Sequence, residues 1–175
     1  GECGAVAYAR DEGARAPAWV YEPLTTVGWR AGVKQNIAIG GTVMSLPYRS
    51  PLETARAFAN IDQLSGGRCI LGVGVGWARE EFAALNVPFE KRGAMTNEYL
   101  AAIKTLWTRD VASFDGEFIR FEGVHTAPRS VQSPHPPIWV GGPSDAALRR
   151  AVRHPGRCCR WLEVGLRGVT ERRAH

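Results

Sequence analysis

Residues 36–51 read NIAIGGTVMSLPYRSP and residues 64–77 read LSGGRCILGVGVGW. With the amphipathic segment between them, they decide the fold. Ile37–Ser45 is apolar and bounded by turn residues, so it predicts a strand. Ser50-Pro51 then predicts a helix start, with serine as N-cap and proline in the first turn. Leu52, Ala55, Phe58, Ala59 and Ile61 follow as a buried stripe, and Ser65-Gly66-Gly67 ends the helix. Arg68–Val75 predicts a second strand. Strand, helix and strand in this order form the parallel unit of α/β barrels and doubly wound sheets.

The second strand alternates in an uncommon way. Cys69, Leu71, Val73 and Val75 fall on one face, and Ile70, Gly72, Gly74 and Gly76 on the other. Glycine at alternate strand positions weakens the strand and marks a close approach by another backbone or a ligand. Two readings follow: a flat ligand over the carboxyl end of the strand, where such folds bind ligands, or tight packing with no ligand.

Outward from this unit, Pro23 with Glu22 before it suits a helix start. Leu24, Val27 and Ala31 recur at helical spacing, and Gly32 suits the stop. Residues 78–110 predict two helical pieces broken near Asn86-Val87-Pro88. The second, Thr96–Trp107, places Leu100, Ile103, Leu106 and Trp107 on one side, so Trp107 is expected in the core. Asp115-Gly116 between Phe114 and Phe118 signals a β-hairpin insertion near 112–122. Pro137–Gly141 predicts a third strand and Ser144–Arg153 a further helix. Residues 1–20 show little periodicity and form a poorly defined N-terminal segment. Residues 21–152 are expected to be one domain, and 153–175 an atypical basic tail.

The chain has 175 residues and a net charge of +5. Residues 143–175 hold eight of the 22 basic and three of the 17 acidic residues, which accounts for the whole excess. A neutral body with a basic end lacks the distributed positive surface that phosphate tracking needs, which argues against nucleic acid as a partner. No apolar run reaches the ~18–20 residues of a membrane span, and no signal peptide is visible. Cys3, Cys69, Cys158 and Cys159 lack zinc-site spacing, so no metal site is expected. Cys69 reads as a small core residue. A reducing, cytoplasmic location is the expectation.

Residues 136–151, PPIWVGGPSDAALRRA, carry the second signal. A buried strand runs into Gly141-Gly142, and Ser144 stands as N-cap of the following helix. Two glycines let a phosphate approach the backbone beside the helix's unpaired N–H groups. An ordinary capped turn is the alternative.

Taken together, GGTVMSLPYRSP, LSGGRCILGVGVGWAREEFAALNVPFEKRG, FDGEFIRFEGV and QSPHPPIWVGGPSDAALRRA resemble, in order and spacing, the luciferase-like monooxygenase superfamily. The branch they most resemble is that of the F420-dependent oxidoreductases. The resemblance covers about Tyr21 to Val152 and implies a (β/α)8 barrel, here partial, with the hairpin as an insertion. It also implies a cofactor, F420 or alternatively FMN, at the carboxyl ends of the strands. Gly41, Thr42 and Val43 would form the bulge behind the ring, with Thr42-Val43 the candidate for the non-proline cis peptide found in several members. Gly74, Gly76 and Trp77 would line the cofactor cavity, and Gly141, Gly142 and Ser144 would form the phosphate turn.

Trp77 stands where the sugar-phosphate dehydrogenase branch carries glutamate, which speaks against that activity. Glu80 and Glu81 follow on a helix start, where solvated charges are the commoner case, and His125 and His135 read as surface residues. The catalytic acid or base is therefore left unknown. By the resemblance, the chain lacks the first strand, most of the second and the strands that close the barrel. Its sequence after Val152 departs from the family pattern as a truncated or frameshifted frame would.

The expected function is hydride transfer between F420 and a small organic substrate, in an enzyme or a fragment of one. An FMN-dependent monooxygenase is the alternative within the fold, and an inactive truncated barrel or non-catalytic subunit is the alternative outside it. A homodimer is an assembly the resemblance allows. A nicotinamide-binding domain is disfavoured, because Gly72-Val73-Gly74-Val75-Gly76 lacks the G-x-G-x-x-G spacing.

Overall fold

The computed structural model describes residues 21–41, 43–153 and 158–159. Helix α1 (Pro23–Val33) starts where the carboxylate of Glu22 accepts hydrogen bonds from the N–H groups of Leu24 (3.1 Å) and Thr25 (2.7 Å). The helix runs through Gly32, contrary to the expected stop. Its carboxyl end is closed from a distance by the Arg68 guanidinium, which donates to the carbonyls of Ala31, Lys34 and Ile37. An arginine fork that satisfies three carbonyls replaces the glycine cap.

The strand expected over Ile37–Ser45 is two short ladders. β1 (Ile39–Gly40) and β2 (Met44–Ser45) both pair in parallel with β3 (Cys69–Gly74). Gly40 lies beside Ile70 and Met44 beside Val73, so three residues on the first strand face two on β3. One extra residue breaks the ladder at 41–43, which is the geometry of a bulge.

Helix α2 (Pro51–Ser65) forms as its caps predict. Ser50 Oγ accepts from the Leu52 N–H at 3.2 Å, and Gly66 ends the helix in the left-handed region at φ 66°. After β3 come a short helix α3 (Arg79–Ala84), a 3-10 turn at Phe89–Lys91, and α4 (Arg92–Thr108), which begins a turn earlier than expected. The hairpin is β4 (Val111–Asp115) and β5 (Arg120–His125). Its turn is longer than Asp115-Gly116 implied. Asp115 pairs with Arg120 and Phe114 with Phe121, so Phe118 lies in the turn instead of opposite Phe114. The reason is Glu98 on α4, whose carboxylate accepts from the N–H groups of Glu117, Phe118 and Ile119. That tertiary anchor holds open a loop that Asp-Gly alone would have closed in two residues.

β6 (Ile138–Gly141) pairs in parallel with β3 and is followed by α5 (Asp145–Arg153). A further strand, β7 (Cys158–Cys159), pairs with Val140 and Gly141. The sheet order is β1-β3-β6-β7, with β2 also on β3. A parallel strand thus follows α5 in a stretch whose sequence shows no apolar period.

The core is a single cluster between sheet and helices. Ile39, Cys69, Leu71, Val73, Ile138 and Val140 pack against Val27, Phe58, Leu100, Ile103, Leu106 and Ala147. Full burial of each large apolar side chain is worth about 1.5–3 kcal/mol. Trp107 is in this core, as its spacing predicts, and its indole N–H donates to the Ala55 carbonyl at 2.9 Å. The opposite face of the sheet carries Gly40, Ser45, Ile70, Gly72, Gly74 and Trp139, with Gly72 beside Trp139 and Gly74 beside Ser45. Among the described residues, no helix is long and apolar enough to cross a membrane.

Candidate functional site

The parallel ladders β2, β3 and β6 end on the same side, and the residues singled out in the sequence gather there. Val43 is central. A Cβ added at Gly74 would meet Val43 Cγ2 at 2.8 Å, and one added at Gly141 would meet Val43 Cγ1 at 2.6 Å. Gly74 ends β3 and Gly141 ends β6, so one side chain reaches two strands of which neither carries it. Gly41 is half-buried, and its nearest neighbour in the Cβ direction is Val27 Cγ2 of α1 at 3.9 Å. Thr42, and with it the Thr42-Val43 peptide bond, lies outside the described residues.

Gly76 is two residues past the end of β3, at φ 82°, a left-handed conformation that favours glycine. A Cβ there would also meet Phe82 Cε2 at 2.8 Å and Ser45 Oγ at 3.1 Å. Ser45 and Phe82 are therefore rim residues that sequence reasoning missed. Ser45 was legible only as the last residue of a strand, and Phe82 only as an apolar position on a short helix. Phe82 in turn meets Tyr48 (4.8 Å between ring centroids) and Phe89 (5.2 Å), both edge to face. Arg79 and Arg92 stack on the Phe89 ring at 4.1 and 3.8 Å. An aromatic row thus supports the turn behind Gly76. Trp77 follows with 59% of its surface exposed.

At the end of β6, Gly142 takes φ 127°, again glycine's territory, with Ala147 Cβ 3.2 Å from where its own Cβ would be. Ser144 caps α5: its Oγ accepts from the Ala147 N–H at 3.2 Å, and its carbonyl accepts from Leu148 at 3.0 Å. A hydroxyl that accepts at a cap still has its proton to donate. Asp145 in the first turn of α5 places a carboxylate at the same positive helix end that an anion would use.

Other candidates stand elsewhere. Glu80 is exposed and Glu81 half-buried, both in the first turn of α3. His125 is exposed at the end of the hairpin. His135 is half-buried rather than a surface residue. Its ring lies 5.5 Å from that of Trp107, and it precedes β6, at the amino end of the strands and away from the rim. Cys69 is a buried core residue. Burial, with the negative charge of Asp62 added, pushes its thiol up to about 12, so it stays protonated and inert.

Comparison with known proteins agrees with this architecture. The family model of luciferase-like monooxygenases matches residues 5–157. An FMNH(2)-dependent dimethylsulfone monooxygenase of Pseudomonas putida is 40% identical over 136 residues, covering 76% of this chain and 37% of that protein. The crystal structure of monooxygenase RslO1 from Streptomyces bottropensis matches with a TM-score of 0.71 at 28% identity, over 75% of this chain and 40% of that one. The coenzyme F420 dependent tetrahydromethanopterin reductase from Methanopyrus kandleri shares the fold, with a TM-score of 0.66 at 22% identity, over 75% of this chain and 42% of that one. The chain spans about two fifths of the length of the curated relatives it matches. Its strands and helices form part of the barrel these proteins share, and the chain belongs to the luciferase-like monooxygenase family.

Proposed function

We propose that this chain carries the ring-and-phosphate cradle of a flavin-type oxidoreductase that acts on a small organic molecule. The observation that supports it most is the convergence of Val43, Gly74 and Gly141 at the carboxyl ends of adjacent parallel strands. Strand ends without side chains let the 41–43 segment stand close over them, which gives a ring something to rest on. The 41–43 segment would back the ring, with Gly76 and Trp77 at its edge. Gly142 and Ser144 would hold the phosphate through backbone N–H groups and a hydroxyl proton. Asp145 opposes a dianion there, so the phosphate contribution of this turn is the smaller part.

F420 is the cofactor proposed from the sequence resemblance. When bound, F420 would supply hydride transfer at C5; reduced FMN would instead supply the two electrons with which dioxygen gives one oxygen atom to the substrate and the other to water. The chain's own share is to hold the ring, orient its open face and keep water from the packed face. The hydroxyl of Ser45 stands at the rim, beside the turn at Gly76. The second reading, FMN in place of F420, is favoured by the Pseudomonas putida relative.

Titration of the purified chain with F420 and, in parallel, FMN, followed by fluorescence and absorbance, tests both. Saturable binding of F420 alone supports hydride transfer. Preference for FMN moves the reading to a monooxygenase. A folded chain that binds neither has no competent cradle, and the proposal is then wrong for this polypeptide.

A further inference from the structure

We propose that Val43 is the positioning residue of this rim, and that Gly74 and Gly141 are glycines to seat Val43 rather than to face the cofactor. The inference rests on the reading of the rim as a ring-binding site and gives its glycines a different role.

The argument begins with strand order. Val43 directly precedes β2, which pairs with β3 only, and β6 lies on the far side of β3. Neighbouring strands are about 4.8 Å apart, so β6 is roughly twice that from β2. A valine side chain cannot cover that span from within the sheet. It reaches Gly141 because it stands between the β1 and β2 ladders rather than within either, and because the intervening Gly74 presents no side chain. Bulge and glycines therefore depend on each other. The bulge needs both seats empty, and Val43, once seated, fixes how far the bulge stands over the strand ends.

The geometry excludes easy accommodation. The Gly141 Cβ position lies 2.6 Å from Val43 Cγ1 and 3.1 Å from Cγ2, while that of Gly74 lies 2.8 Å from Cγ2. Real carbon atoms do not approach so closely, and a β-branched side chain has few rotamers with which to retreat. The Cβ of Val43 is farther off, at 3.4 Å from the Gly141 position and 3.7 Å from that of Gly74. Both are ordinary contacts. Alanine at 43 therefore makes room for alanine at 141 or 74, which gives a size exchange that can be measured.

The experiment uses the full 175-residue chain with Gly141→Ala, Val43→Ala and the double variant, and a parallel set with Gly74→Ala. The first readout is the thermal midpoint. Gly141→Ala is expected to lower Tm by about 5 °C, and adding Val43→Ala to recover most of that loss. Gly74→Ala should behave the same way, which keeps the test open if one variant fails to fold. The second readout is the affinity for whichever of F420 or FMN the unsubstituted chain binds, with the visible circular dichroism of the bound ring at saturation. Gly141→Ala should weaken binding about tenfold and alter the spectrum, and the double variant should restore both.

Two results would overturn the inference. One is a double variant that binds as poorly as Gly141→Ala while its Tm recovers, since Gly141 would then face the cofactor itself. The other is thermal shifts that simply add. If the unsubstituted chain binds neither cofactor, the cofactor reading fails by itself. The thermal cycle still decides whether Val43 is seated on the two glycines.

Discussion

Buried side chains here show how surroundings change chemistry. Cys69 has none of its surface exposed and lies beside Asp62, so its thiol is held in the protonated form well above the ordinary value of 9.0. The sign follows: a group kept protonated by folding adds stability that is fully present below the thiol's unfolded range and is lost as pH rises above it. In the native chain at pH 8, Cys69 should stay unlabelled by iodoacetamide and become labelled on denaturation, as read by peptide mass spectrometry. Rapid native labelling of Cys69 would contradict its place in the core. Val43 makes the complementary point, since its importance lies in the two glycines it touches and not in any reactive atom.

Elements in this chain are shaped by partners distant in sequence. The hairpin shows it most clearly: Asp115-Gly116 is a strong local turn signal, yet Glu98, on another element, takes three backbone N–H groups and widens the loop. Hydrogen bonds to a charged acceptor are worth about 1.5–3 kcal/mol each. Glu98→Ala should therefore speed hydrogen exchange at the amides of Glu117, Phe118 and Ile119 by about tenfold or more, with little change in α2. Unchanged exchange at those three amides would show that the turn holds itself. The carboxyl end of α1 follows the same logic, with Arg68 doing what a glycine cap was expected to do.

Across the whole molecule, one buried carboxylate joins segments that the sequence keeps apart. Asp62 on α2 accepts from the N–H groups of Val131 (2.8 Å) and Gln132 (2.9 Å), from Gln132 Nε2 (2.7 Å), and, at 3.4 Å, from the Cys69 N–H at the start of β3. It ties the loop that leads into β6 to the first strand-helix-strand unit. Asp62→Ala should lower stability by about 2 kcal/mol, because it removes the charged acceptor of the part-buried Val131 and Gln132 N–H groups. Urea denaturation would register this as a lower midpoint at constant slope. A loss below about 0.5 kcal/mol would mean that the loop is held by other contacts.

Short-range chemistry made much of this legible. Ser50-Pro51 and Gly66 bound α2 where cap stereochemistry requires, and the alternation of Cys69, Leu71 and Val73 marks the face of β3 that enters the core. The gathering of glycines at strand ends was legible as well, though not its reason. Whether a glycine is emptied for a ligand, for a neighbouring backbone or for a valine from another strand depends on which strands become neighbours. Strand order is set by burial summed over the whole sheet. The break at 41–43, the widened hairpin turn, the short strand β7 and the placement of Val43 over Gly74 and Gly141 all arise from contacts between residues far apart in the chain. Local propensity holds no record of such contacts, so only the tertiary structure decided them.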